Sequence, residues 1–164
     1  MSKTVVVALG GNAFTRAGQA GSYDEQRRNA LTMAHSVIAM RRSRWDVVIV
    51  HGNGPQVGNL AIQQEEGRDL VPAQPLFSLG AMTQGELGSL IALALHACDE
   101  TVAVAALVTH VVVSSEDPAF ELPAKPIGPF FSRTRADELA ACRGWTVGDD
   151  SGRGRTRDAG PQRT

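Results

Sequence analysis

Cysteine is scarce in this sequence, and neither sign of charge prevails. The two cysteines, Cys98 and Cys142, lie far apart and form no Cys-x-x-Cys pair. This pattern argues against a zinc site or a disulfide framework and fits a reducing cytoplasm. The formal net charge is -1, so no overall field attracts nucleic acid or an anionic membrane, and we expect neither as a partner.

Long apolar runs and metal-ligand spacings are also missing. No uncharged run reaches the ~18 apolar residues that a membrane span needs, and residues 1–3 lead straight into a predicted strand without a signal-peptide pattern. His35, His96 and His110 lack the spacing of metal ligands, so we predict no metal site. The remaining composition, 43% hydrophobic and 20% charged over 164 residues, is typical of one soluble domain.

Glycine, in contrast, is concentrated directly after apolar runs. Residues 46–50 include four consecutive apolar residues, which predict a buried strand, and Gly52-Asn53-Gly54-Pro55-Gln56-Val57-Gly58 follows. Three glycines within these seven residues let the backbone turn sharply and approach a ligand closely. Helical spacing then resumes, so backbone N–H groups and a helix N-terminus point at one spot that suits an anion. An ordinary βα loop has a similar composition.

A second copy of this design opens the chain. The apolar residues 4–9 predict a strand, and Gly10-Gly11-Asn12-Ala13 follows at once. Two strand-then-turn units imply two loops at the same edge of a parallel sheet, where ligands bind in open α/β folds. The pair therefore favours a site for phosphate or another small anion.

Helical periodicity marks two further segments. The first begins at the capping box Ser22-Tyr23-Asp24-Glu25 and ends in arginines, and the second begins near Ser78 and carries Gly85 and Gly88 beside its apolar stripe. These glycines allow close packing against the sheet or against a second subunit. Residues 101–113 are rich in valine and predict one or two strands. The predicted order βαβααβ favours an α/β fold with a mostly parallel sheet. The two predicted apolar faces consist of Ala30, Met33, Ala34, Val37 and Ile38, and of Leu87, Leu90, Ile91, Ala94 and Leu95.

Four motifs, in chain order, resemble carbamate kinase, a member of the amino-acid-kinase family. The likeness runs from about residue 4 to about residue 154 and implies the N-terminal half of such an enzyme. It implies a three-layer α/β/α lobe over residues 1–148, with residues 114–131 as a small excursion over the active site. The motifs are Val7-Ala8-Leu9-Gly10-Gly11-Asn12-Ala13, His51-Gly52-Asn53-Gly54-Pro55-Gln56-Val57-Gly58-Asn59, Ala81-Met82-Thr83-Gln84-Gly85 and Lys125-Pro126-Ile127-Gly128-Pro129-Phe130.

The end of the chain departs from this likeness. Residues 149–154 still resemble the family's acidic-Ala-Gly-Arg-Gly segment, but the ten residues after them contain one apolar side chain, Ala159. Such a segment cannot join a core, so we predict a disordered tail over residues 149–164. A truncated or out-of-frame gene product is the expected reason.

The resemblance also implies a role for each motif residue. Gly10, Gly11 and Asn12 would hold the transferred phosphoryl group, and Gly52, Asn53 and Gly54 the carbamate end. Lys125 would contact the phosphate, which makes Asn12 and Lys125 the catalytic candidates. Phosphoryl transfer needs such donors and cations because it consists largely of positioning and charge neutralisation. Turn formation and Asx capping are the alternative roles of the glycines and asparagines.

Three other polar residues of the motifs are weaker candidates. We interpret His51, at the end of a strand, as a hydrogen-bonded structural residue and not as a general base. Thr83 and Gln84 lie near a predicted helix start and are candidates for contact with substrate or a partner.

The function that the resemblance implies is reversible phosphoryl transfer between ATP and carbamate with Mg²⁺. The direction would be ATP synthesis from carbamoyl phosphate in arginine catabolism, by a cytoplasmic homodimer. Because the family's nucleotide site lies mostly in the C-terminal half, we expect this chain alone to be inactive. Two alternatives stay open: an amino-acid kinase acting on a carboxylate or phosphonate, and a non-catalytic anion-binding remnant or pseudogene product.

Overall fold

The structure is a computed structural model that describes residues 3–10, 13–16, 18–121, 126–143, 147–149 and 155–158. The chain falls into two compact units, Met1–Asn53 with Ala81–Thr109 and Gly54–Gly80 with His110–Thr164. The prediction of one lobe over residues 1–148 did not include this division.

Two parallel strands form the sheet of the first unit. β1 (Lys3–Leu9) pairs with β2 (Trp45–His51), in a register that runs from Lys3 opposite Trp45 to Leu9 opposite His51. Their valine-rich sequences favour strands because β-branched side chains pack well on a pleated surface. Since both strands run in the same direction, their carboxyl ends lie at one rim, and the predicted α/β class with a parallel pair is confirmed.

Local sequence signals define both ends of α1 (Tyr23–Arg42). The predicted capping box is confirmed: Ser22 Oγ accepts from the Glu25 N–H, and Glu25 Oε2 accepts from the Ser22 N–H at 3.0 Å. This Ser22 N–H is the main reason why the pKa of Glu25 lies below its ordinary value. At the other end, Ser43 is the C-cap, and Arg44 adopts a left-handed φ of 63° before β2 begins.

The core of the first unit lies between two helices and one face of the sheet. α1 and α3 (Leu76–Cys98) contribute the two predicted apolar faces, which are thereby confirmed, with Met33 partly buried at the edge. Leu9 and Ile49 of the strands pack against the same core. Its buried residues are Phe14, Ala30, Ala34, Val37, Ile38, Leu87, Leu90, Ile91, Ala94 and Leu95.

The other face of this sheet is open to solvent. Val6 is 62% exposed, and Val48 and Val50 are each 48% exposed. Four consecutive apolar residues in β2 had predicted a buried strand. The described helices of this unit cover one face only, so burial alternates along each strand with the period of the pleat.

The prediction of one or two strands over residues 101–113 is wrong, because residues 102–113 lie in no helix or strand. β-Branched residues favour a strand where a neighbouring strand provides ladder hydrogen bonds. Here the side chain of Gln84, and not a neighbouring strand, bonds the backbone of this segment. Gln84 Oε1 accepts from the Thr109 N–H at 2.8 Å, and Gln84 Nε2 donates to the Thr109 carbonyl at 3.0 Å. Gly88 of α3 packs against the same segment, since a Cβ at Gly88 would lie 2.8 Å from Ala106 Cβ.

The second unit combines helices with an antiparallel sheet that the sequence did not predict. β3 (Pro126–Phe131), β5 (Arg155–Asp158) and β4 (Val147–Asp149) lie side by side in that order. α2 (Gly54–Gly67) packs against β3, and α4 (Arg133–Arg143) follows β3 in the chain.

Residues 155–158 of the predicted tail over residues 149–164 form β5, the central strand of this sheet. Ladder hydrogen bonds join backbone groups, so a strand forms without the apolar side chains whose scarcity led to that prediction. Within the predicted excursion over residues 114–131, the Asp117 side chain caps a 3-10 turn at Pro118–Phe120 ahead of β3.

Candidate functional site

The two glycine-rich turns start side by side at the rim of the parallel sheet. Leu9, the last residue of β1, lies opposite His51, the last residue of β2. The Gly52 N–H then donates to the Leu9 carbonyl at 2.9 Å. This hydrogen bond continues the ladder one residue beyond β2 and ties the start of one turn to the start of the other. The predicted adjacency of the two loops is therefore confirmed.

The glycines of these turns differ in the space around them and in the hydrogen bonds that they make. Gly10 is exposed, and a Cβ placed at Gly10 or at Gly54 would meet no heavy atom within 4 Å. Space of this kind lets a ligand approach the backbone closely. The Gly52 N–H, in contrast, is occupied by the Leu9 carbonyl. Gly52 was predicted to hold the carbamate end; its N–H positions the turn, and its contact with a ligand stays a prediction.

A buried amide of α1 holds the first turn in place. The turn begins with a hydrogen bond from the Ala13 N–H to the Gly10 carbonyl at 2.9 Å, and the next residue, Phe14, is fully buried. Asn29 Nδ2 donates to the Phe14 carbonyl at 2.9 Å and to Gln19 Oε1 at 2.7 Å. These bonds fix the backbone between β1 and α1 to the core, which limits the movement of the turn.

Sequence reasoning missed this support, although a signal was present. Gln26 and Asn29 are 8% and 6% exposed and continue the apolar face that includes Ala30 toward the start of α1. Gln26 Nε2 donates to the Gly21 carbonyl at 3.0 Å. Amides on the buried face of a helix need hydrogen-bond partners, and the nearest polar backbone is the loop that precedes the helix. Two such amides one turn apart therefore predict an anchored loop.

His51 packs beside the first turn. Its ring meets the Phe14 ring edge to face, with centroids 6.2 Å apart and planes at 87°. Its Nδ1 lies 3.4 Å from the Gly52 carbonyl. These contacts agree with the interpretation of His51 as a structural residue that joins the two turns.

Asn53 is the polar side chain of the second turn, and α3 holds it. Asn53 Nδ2 donates to Thr83 Oγ1 at 2.8 Å, and Thr83 is fully buried. Thr83 thus contacts the candidate site residue and not solvent. The neighbouring Gln84 forms hydrogen bonds with the backbone of Thr109 in its own chain. The polar atoms of the Gln84 side chain therefore have partners that are not a ligand.

The other predicted site residues, Gly11, Asn12 and Lys125, lie outside the described residues. Among the residues that the structure does describe, no group of three or more His, Cys, Asp or Glu side chains is placed to hold a metal ion. Within the same residues, no helix combines the length and the apolar character needed to span a bilayer.

Known proteins match nearly the whole chain. Residues 3–152 match the Amino acid kinase family. The chain is 44% identical over 159 residues to carbamate kinase from Thermococcus kodakarensis, an alignment that covers 93% of this chain and 50% of that enzyme. It is 39% identical over 160 residues to carbamate kinase from Escherichia coli (strain K12), covering 98% of this chain and 53% of the relative.

Solved structures give the same result. Carbamate kinase from Giardia lamblia bound to citric acid matches with a TM-score of 0.88 at 36% identity, over 97% of this chain and 53% of that one. The Giardia lamblia enzyme bound to AMP-PNP matches with a TM-score of 0.74 at 35% identity, over 97% and 52%. The chain spans about half the length of these relatives. It belongs to the amino acid kinase family, and its similarity is to the N-terminal half of the carbamate kinases.

Proposed function

We propose that the two joined turns bind carbamoyl phosphate, and that within an intact enzyme they serve reversible phosphoryl transfer between ATP and carbamate. The hydrogen bond from the Gly52 N–H to the Leu9 carbonyl carries this proposal, because it brings both family motifs to one rim. The membership in the amino acid kinase family, a family of phosphotransferases, and the identity to carbamate kinases support the reaction class.

Each turn has its own part in the proposal. Gly10, Gly11 and Asn12 hold the phosphoryl group through N–H and amide donors, which stabilise oxygen charge as it develops. Gly52, Asn53 and Gly54 hold the carbamate end. Lys125 neutralises phosphate charge from the motif Lys-Pro-Ile-Gly-Pro-Phe. Asn12 and Lys125 are thus the proposed catalytic residues, since both would contact the group that is transferred.

ATP is the proposed phosphoryl donor, supported by the Giardia lamblia relative that binds AMP-PNP. The nucleotide brings Mg²⁺ as its counterion. The donors at the two turns are N–H and amide groups, which suit phosphate oxygens, whereas Mg²⁺ prefers carboxylate and water oxygens. We therefore assign no step of this chain's residues to the ion.

The setting of the reaction is also part of the proposal. We place it in the cytoplasm, in arginine catabolism, with ATP formed from carbamoyl phosphate and ADP by a homodimer. The cysteine usage of the sequence and its likeness to carbamate kinases support this setting.

For the purified chain by itself we expect binding without turnover. The turns supply donors for a phosphate, but the chain spans about half the length of the carbamate kinases, and removing even one electrostatic donor from such a site typically costs ~10²–10³ in rate. Incubation with ADP and carbamoyl phosphate, followed by luciferase detection of ATP, checks this. ATP formation would contradict it and would also exclude a protein that only binds anions.

Binding is tested at the first turn. Asn12→Ala should abolish the binding of carbamoyl phosphate, measured from the broadening of its ³¹P NMR signal, because the amide donor to the phosphoryl group is lost. Gln63→Ala is the control, since Gln63 is an exposed amide on α2. Unchanged binding by Asn12→Ala would remove the first turn from the site.

A further inference from the structure

The amide of Asn53 has a fixed orientation. One of its Nδ2 hydrogens is directed at Thr83 Oγ1 over 2.8 Å, from a residue thirty positions away in α3. Thr83 is fully buried and lies on a helix, so its hydroxyl is an immobile partner. A planar amide held by its nitrogen cannot rotate freely, and its oxygen then has a defined direction.

The oxygen of this amide is the group that is left to meet a ligand in the proposed site. An asparagine that precedes a helix commonly uses Oδ1 to cap the first N–H groups. In Asn53 the nitrogen of the amide is the atom held by α3, through the hydrogen bond to Thr83 Oγ1. Asn53 is half-buried at the rim where the two turns meet. An amide oxygen in this position accepts hydrogen bonds and donates none.

We propose that Thr83 is a positioning residue that fixes Asn53 with Nδ2 inward and Oδ1 toward the ligand, so that the site selects substrates with an N–H donor. The inference rests on the proposed function and specifies its substrate class. An NH₂ group donates to Oδ1. A carboxylate oxygen repels it, and a methyl group leaves it without a partner. The turn therefore favours a carbamate-type acid over a carboxylate or a methyl ketone of the same shape.

Three stable phosphonates test this polarity with the 164-residue chain. Phosphonoacetamide, acetonylphosphonate and phosphonoacetate share a phosphonate and a carbonyl, and differ in bearing NH₂, CH₃ or O⁻. Isothermal titration should give phosphonoacetamide an affinity at least tenfold higher than the other two, because a site built to hydrogen-bond a group discriminates against analogues that lack it. Acetonylphosphonate is the neutral comparison, so the difference does not depend on charge.

Variants of Thr83 test the positioning. Thr83→Val keeps the shape of the side chain and removes the hydroxyl, and it should reduce the preference for phosphonoacetamide to about twofold while leaving the affinity for acetonylphosphonate unchanged. Thr83→Ser retains the hydroxyl and should restore the preference. Thr32→Val is the matched control, because Thr32 is an exposed threonine of α1 whose hydroxyl donates to the Arg28 carbonyl. It should bind all three ligands as the wild type does.

A measurement without ligand reports the same hydrogen bond. The side-chain NH₂ signals of Asn53, assigned by their loss in Asn53→Ala, should shift in a ¹⁵N correlation spectrum of Thr83→Val and return toward wild type in Thr83→Ser. Thr32→Val should leave them in place. Signals that do not move in Thr83→Val would overturn the positioning role.

The outcomes separate this inference from the function on which it rests. Equal affinities of the wild type for the three phosphonates would overturn the selection of an N–H donor and leave the anion site standing. A preference that persists in Thr83→Val would overturn the role of Thr83 alone. Failure of all three phosphonates to bind would overturn the proposed function, and this inference with it.

Discussion

At the scale of the single residue, Asn29 connects the first turn to the core. It holds the Phe14 carbonyl from α1, and the Phe14 ring packs against His51 at the end of β2. Contacts thus run from one helix through one buried aromatic residue to the second turn. A change in α1 should therefore alter both turns, although Asn29 belongs to neither.

We expect Asn29→Ala to lower the free energy of unfolding by about 1–3 kcal/mol, because the buried Phe14 carbonyl loses its donor. Urea denaturation followed by circular dichroism measures this. Asn59→Ala is the control: Asn59 is a half-buried asparagine of α2, and its replacement should change stability by no more than about 0.5 kcal/mol. Equal effects of the two variants would refute the anchoring role of Asn29.

At the level of single residues, the sequence identified Gly52 and Asn53 as candidates but did not predict their hydrogen-bond partners. The motif identified both positions, since glycine and asparagine after an apolar strand are typical of a ligand-binding turn. It did not reveal that the Gly52 N–H is occupied by Leu9, or that Asn53 is held by Thr83. Each partner is distant in the sequence, and the spacing of residues within a motif contains no information about groups on another element.

At the scale of the element, α3 packs closely against residues 102–109. Gln84 pairs with Thr109 near one end of the contact, and Gly88 lies against Ala106 nearer the other. The sequence left two roles open for Gly85 and Gly88. Gly88 packs within its own chain, whereas a Cβ at Gly85 would meet no heavy atom within 4 Å.

The two glycines give a matched pair of substitutions. Gly85→Ala should raise the free energy of unfolding by about 1 kcal/mol, because alanine favours a helix interior and the added methyl has room. Gly88→Ala gains the same helix propensity, but its Cβ would lie 2.8 Å from Ala106 Cβ. The resulting overpacking costs about 1–3 kcal/mol, so the net effect should be destabilising.

Thermal and urea unfolding of both variants checks this pair. The double variant Gly88→Ala/Ala106→Gly removes the opposing methyl and should recover most of the stability lost in Gly88→Ala. If Gly88→Ala were as stable as Gly85→Ala, α3 and residues 102–109 would not be in close contact.

Elements with local signals were predictable, and elements that depend on a partner were not. The capping box and apolar face of α1 follow from residues within one or two turns of each other, so the sequence predicted them. Residues 102–113 have the composition of a strand and form none, and Arg155–Asp158 lacks that composition and forms one. Strand formation is decided by which backbone groups come together, and composition only biases it.

At the scale of the whole molecule, an apolar stretch is left on the surface. Leu107, Val111 and Val112 are 81%, 85% and 96% exposed, and they belong to the valine-rich segment without a strand partner. Exposed apolar stretches promote association, and a formal net charge of -1 gives little electrostatic repulsion between copies. We therefore expect the chain to self-associate, in line with the proposed homodimer.

Sedimentation velocity across a concentration series should show this association, and Val112→Lys should weaken it at least tenfold because a buried ammonium is costly at an apolar contact. Leu70→Lys is the control, since Leu70 is 90% exposed but lies outside the segment. An equal effect of the two lysines, or none from Val112→Lys, would place the contact elsewhere.

The sequence by itself determined the two strand-then-glycine designs, the faces of α1 and α3 and the family of the chain, because each depends on residues close together along the backbone. Tertiary structure decided that the turns are joined through Leu9 and Gly52, that Thr83 holds Asn53, and which apolar segments found a partner. Hydrogen bonds and burial of this kind depend on the distance between groups in the folded chain, which local propensity does not specify.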